Sequence, residues 1–158
     1  MAQSTYSFLD VTGAIHCDKV GDYIFTGKGV GSITISMAQE RTAHDVAADG
    51  SVMVSKVAGN NGTITIEVQQ TSPLNKWLTN WAHVLWDGPT SIWASTSILI
   101  RCTATGTTHV CSGVSPQKEP DTPYQNQGQR VTWTLMCADT GCLVPSAGIR
   151  QSIHGLFL

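Results

Sequence analysis

The chain has 158 residues, of which 41% are hydrophobic and only 13% charged, with a formal net charge of −2. That length supports one domain with a proper core. The charged fraction is about half the usual quarter for soluble domains, so much of the exterior is expected to be covered by neighbouring molecules. Lysine and arginine are scattered, which excludes a basic stripe for gripping nucleic acid, and no apolar run approaches the roughly 20 residues that span a bilayer, so no membrane insertion is expected.

The opening MAQSTYSFLD lacks a basic start and an apolar core, so it does not read as a signal peptide, and synthesis and folding in the cytoplasm are expected. Tyr6–Cys17 reads as a strand broken at Gly13, and Asp22–Phe25 as a short second strand. The joint Thr26–Gly31 carries Gly27, Gly29 and Gly31, but no Gly-Lys-Ser/Thr ending or helix follows, so a flexible hinge or strand entry is expected rather than a nucleotide loop.

Three strands are predicted next, at Ser32–Gln39, Ser51–Val57 and Thr63–Gln70. Ile33, Ile35 and Met37, like Ile64, Ile66 and Val68, alternate with small polar residues, which describes a sheet packed on one side and wet on the other. The last two strands are expected to form a hairpin through Asn60-Asn61-Gly62, where Asn-Gly supplies positive φ. The polar segment Glu40–Gly50 is expected to be a loop that orders on contact with a neighbouring subunit, being too long for a hairpin turn. A long ribbon is marginal alone in water, so its expected use is docking on another copy, with Glu40, Arg41, Thr42, His44, Asp45 and Asp49 at the interface.

Ser72 and Pro73 predict a helix start, and Leu74, Trp77, Leu78, Trp81 and Leu85 form one apolar stripe over about 72–86. Strands are expected again at Ile92–Ala104, Thr107–Ser112 and Arg130–Ala138, with a proline-rich exposed loop over Val114–Gly128. Asp139-Thr140-Gly141 matches the aspartic-protease triplet, but three residues without a second carboxylate in register read as a strand-end turn. The tail from Asp139 includes Gly-Leu-Phe-Leu at 155–158, which suggests a docking arm. The fold class expected is mainly β, an antiparallel sandwich or barrel with one helix and an extended ribbon.

Five histidines are well separated and show no metal-ligand spacing, so neither metal nor cofactor is expected. Five cysteines leave at least one without an intrachain partner. Cys102 and Cys137 fall on strand faces beside apolar residues and read as core. Cys17, Cys111 and Cys142 fall near strand ends or turns and are the candidates for interchain disulfides.

From Lys28 to Leu78 the chain reads KGVGSITISMAQERTAHDVAADGSVMVSKVAGNNGTITIEVQQTSPLNKWL. This segment resembles the tail-tube proteins of contractile-tailed bacteriophages, the myovirus tail tube family. The resemblance implies a non-enzymatic virion protein, six copies of which make a ring whose strands form a continuous β-barrel around a channel. Rings would stack into the tube, with a sheath protein outside and the tape-measure protein and viral DNA transiently inside. It also implies that arms at about 1–10 and 143–158 make inter-ring contacts. The wet strand faces, Thr34, Ser36, Thr63, Thr65, Glu67 and Gln69, are then the candidates for the channel wall. The competing reading is a monomeric or trimeric β-sandwich, a virion decoration or carbohydrate-binding module with Trp86, Trp93 and the proline-rich loop as its platform.

Overall fold

The computed structural model describes residues 3, 5–27 and 29–143, so the predicted arm at about 143–158 lies outside the described residues but for its first. It opens with a 3-10 turn at Phe8–Asp10 and then runs β1 (Val11–Cys17), β2 (Gly21–Thr26), β3 (Val30–Met37), β4 (Thr42–Val46), β5 (Val52–Lys56) and β6 (Gly62–Gln69). The helix α1 (Pro73–Asp87), a second 3-10 turn at Thr90–Ile92, and β7 (Thr96–Cys102), β8 (Thr108–Pro116) and β9 (Arg130–Leu143) follow. Seven strands form one antiparallel sheet in the order β2-β1-β7-β8-β9-β6-β3. The sheet curls into a half-barrel, and the fold is mainly β with one helix, as expected.

Alternation decides which face is dry. Along β6, Ile64, Ile66 and Val68 are buried while Thr63, Thr65 and Glu67 are only partly so. Across the register, Ile66 meets Trp133 and Ile64 meets Leu135 on β9, so the apolar rows align through the sheet. α1 covers this face with Leu74, Leu78, Trp81, Ala82 and Leu85. Ser72 caps it by accepting from the Leu74 N–H, as the sequence predicts. Two polar atoms of the core aromatics are matched: Trp81 Nε1 donates to Thr96 Oγ1 at 2.8 Å and Trp133 Nε1 to Asn75 Oδ1 at 3.0 Å. No helix among the described residues is long and apolar enough to cross a membrane.

Four expectations need correction. The hairpin through Asn60-Asn61-Gly62 does not form. β5 pairs instead with β4, Thr42 opposite Lys56 and Val46 opposite Val52, around a turn in which Gly50 takes φ +87°. The Asn60 and Asn61 carbonyls accept from Thr140 and Ala38, tying the start of β6 to its neighbours β9 and β3. The Glu40–Gly50 segment is therefore half strand in the single chain, not a loop awaiting a partner. Gly13 does not break β1. It sits opposite Phe25 in an unbroken ladder, and a Cβ there would overlap the Phe25 ring. Finally, β8 runs on to Pro116 and β9 to Leu143, so the loop is shorter than Val114–Gly128 and Asp139-Thr140-Gly141 lies inside a strand.

Candidate functional site

Three surfaces stand out, none of them a catalytic cleft. The first is the β4–β5 ribbon. Every residue of both strands is exposed, in contrast to the sheet. Its register places Val46, Val52, Val54 and His44 on one side and Asp45 and Met53 on the other. Val46 is 64% exposed, Met53 61% and Val54 63%, an apolar group held out in water by a two-stranded ribbon. Such ribbons are marginal without a covering surface. The ribbon's base is pinned: Arg41 donates to Asn60 Oδ1, and its carbonyl accepts from the Val57 N–H at 2.9 Å. Its tip is pinned too, because Asp49 accepts from the Ser51 N–H at 3.0 Å and hydroxyl at 2.6 Å. Those bonds favour the carboxylate and lower its pKa. Of the predicted interface residues, Thr42, His44 and Asp45 lie on β4 itself, Asp49 forms the tip, and Glu40 and Arg41 lie at the base.

The second surface is the wet face of β3, β6 and β9. Register puts Thr34 opposite Thr65, Ser36 opposite Thr63, and Ser32 opposite Glu67. β9 continues the face with Thr132 beside Glu67, Thr134 beside Thr65 and Arg130 beside Gln69. All six predicted wall residues thus share one side of the sheet. Its charges are matched, since Arg130 Nη1 lies 3.0 Å from Glu67 Oε1. The rest is hydroxyl and amide, with Met136 adding thioether.

The third surface is the pair of edge strands of the sheet among the described residues. β3 closes one end of the strand order and β2 the other. An edge strand turns one row of N–H and C=O groups outward, a template for another strand. On β2, Ile24 is 76% exposed, an apolar side chain standing on an edge.

The cysteines divide differently from their predicted roles. All five are free thiols. Cys137 is buried as expected, while Cys102 is half-buried. Cys17 and Cys111 are completely buried, so as the chain stands they cannot meet a thiol of another copy. The Cys111 and Cys137 thiols share a hydrogen bond, which keeps the Cys137 proton in place, with burial adding to the effect. Only Cys142 is exposed. It lies on the same strand as Cys137, about 16 Å away at 3.3 Å per residue, too far for a bond between them. No group of histidine, cysteine or carboxylate side chains among the described residues has metal-site geometry.

The bacteriophage PhiTE tail tube protein family matches residues 3–144. The chain belongs to that family. No curated protein matches in sequence. Among solved structures, a chain of the anti-feeding prophage baseplate, reconstructed with 6-fold symmetry, superposes with a TM-score of 0.63 at 13% identity. The match covers 91% of this chain and 98% of that one. A chain from the sheath/tube terminator of the extracellular contractile injection system PVC superposes with a TM-score of 0.57 at 13% identity, covering 90% and 99%. A chain from the anti-feeding prophage tube-terminating cap gives 0.56 at 12%, covering 92% and 95%. These likenesses show a shared fold. The family supplies the role: a structural component of a phage tail tube.

Proposed function

We propose that this tail tube protein polymerises as stacked hexameric rings that form the inner tube of a contractile tail, the conduit for DNA ejection. The observation that carries this reading is the tail tube family match over nearly the whole described chain, on a curled sheet with β2 and β3 as its edge strands among the described residues. Strand β2 of one copy would add to β3 of the next, as edge strands do when they meet a complementary edge. Repetition around a ring closes the sheets into one barrel and leaves no edge exposed.

The wet face of β3, β6 and β9 suits the channel side. A lysine-rich wall would hold DNA by releasing its counterions and slow its passage. A wall of hydroxyls with its one acid matched by its one base leaves little to hold. The ribbon, standing out with bare valines, suits a contact with the adjoining copy or ring, and the segment before β1, with exposed Tyr6 and Leu9, suits the same use. The tail sheath protein is the proposed outer partner, and the tape-measure protein and viral DNA the transient contents of the channel. The role is structural rather than catalytic, and the protein resides in the virion tail after assembly in the host cytoplasm. Negative-stain microscopy of purified protein tests this: rings or tubes support it, and discrete globules at all concentrations reject it in favour of a decoration or binding module.

A further inference from the structure

We infer that the valine side of the β4–β5 ribbon of one copy lies on an apolar row that crosses β2, β1, β7 and β8 of a second copy. The register defines the row. Ile24 stands opposite Ala14, Ala14 opposite Leu99, and Leu99 opposite Val110. Four apolar side chains thus cross the sheet in line, over three strand spacings of about 4.8 Å each. Alternation puts them on the wet side, because their strand neighbours Phe25, Ile15, Ile98 and Ile100 are buried in the core on the other. The curl of the half-barrel turns this half of the wet side away from the β3, β6 and β9 wall. Ile24 is 76% exposed and Leu99 42%. A contiguous apolar strip rimmed by polar residues marks a contact surface.

Charge selects the occupant. Two residues along the strands in one direction, the row is bordered by Thr12 and exposed Arg101. In the other direction it is bordered by His16 and Asp22, with Asp18 bonded to the same imidazole. The ribbon carries the opposite order. Its valine side, Val46, Val52 and Val54, lies between Asp49 at the tip and Lys56 at the base, where Lys56 faces Thr42. Laid along the strands with its tip toward Arg101, the ribbon sets Asp49 by Arg101 and Lys56 by Asp18 and Asp22. Its valines then cover the row between them. Turned end for end, it would bring like charges together, so one orientation is favoured. Ribbon and row are different surfaces, so the contact is heterologous and propagates from copy to copy. This inference rests on the reading of the ribbon as a contact between copies.

Two sets of variants of the full chain test it under polymerising conditions. Leu99→Asp alters an exposed site, so the fold should survive by circular dichroism. The protein concentration needed for tubes should nevertheless rise on the order of tenfold, the scale of losing one buried leucine contact. Adding Val54→Lys should restore assembly by pairing the two new charges. In a Cys142→Ser background, Val54→Cys with Leu99→Cys should link chain to chain when oxidised glutathione is the electron acceptor. Each bond takes two thiol hydrogens and yields two reduced glutathiones, and mass spectrometry identifies the joined peptides. Met53→Cys with Leu99→Cys, on the other side of the ribbon, should not link. Suppose Val54→Asp stops polymerisation while Leu99→Asp polymerises normally and the introduced thiols stay unlinked. The inference is then overturned and the ribbon reading stands. Normal tubes from both aspartate variants overturn the two together. A bond within one chain also overturns the inference, because the ribbon would then cover its own sheet.

Discussion

Gly13 and Phe25 face each other across β1 and β2, and the glycine makes room for the ring. An apolar neighbour filling the space above a strand glycine explains a residue that in sequence resembles a break. Replacing Gly13 by Val should cost about 1–3 kcal/mol through overpacking, a fall of several degrees in Tm for a chain of this size. An unchanged Tm would show that the Phe25 ring swings aside freely. His109 and His16 pull stability in opposite directions with pH. Burial holds the His109 imidazole below its ordinary value of about 6.5. The unfolded chain then binds the proton more readily, so stability is lost as pH falls below about 6.5. For exposed His16 the hydrogen bond to Asp22, then its charge, raises the pKa. Its small contribution is present below about 6.5 and fades as pH rises through the raised value. Between pH of about 7.5 and 5.5, the Tm of His109→Gln should fall less than wild type and that of His16→Gln more. Equal falls in all three proteins would contradict both assignments.

The ribbon shows where elements can and cannot be read from sequence. β3, β6 and α1 are legible because burial imposes a period on them, two for strands against a core and 3.6 for a helix. β4 has no core to face, so no apolar row marks it, and its His44 and Asp45 resemble loop chemistry. Its partner β5 carries the valines, which makes β5 visible and β4 not. The Asn-Gly signal at 61–62 is genuine as an irregular joint but closes no hairpin, because β6 is claimed by β3 and β9. Asp139-Thr140-Gly141 misleads in the same way: its turn-forming residues are overridden by pairing of β9 with β8, Thr140 against Cys111. Interface roles follow geometry that composition does not carry, and burial removes Cys17 and Cys111 from contention for interchain bonds. On a non-reducing gel of particles with free thiols blocked, any dimer band should vanish in Cys142→Ser. A dimer surviving that change would run through half-buried Cys102 or require opening of the core. Met53→Asp and Val54→Asp, on exposed sites, should leave folding stability within about 0.5 kcal/mol yet abolish polymerisation. Tubes of normal length from either variant would show that its side of the ribbon is not an assembly contact.

At the scale of the whole molecule, sparse charge, two edge strands among the described residues, an exposed apolar ribbon and a charge-balanced wet face are features that make poor sense in an isolated monomer and good sense in a closed assembly. The wall assignment has its own consequence. Glu67→Lys leaves Arg130 without its acid and changes each subunit's channel charge by two units, twelve around a ring of six. Phosphate would then be held, and genome ejection at low salt should slow. Ejection at the wild-type rate would place Glu67 away from the channel. The most direct test is a cryo-EM reconstruction of purified, polymerised protein. It should show six-fold rings in which β2 of one copy is hydrogen-bonded to β3 of the next, with Thr65 and Glu67 facing the channel. Rings held by other surfaces, with β2 and β3 still solvent-exposed edges, would contradict it.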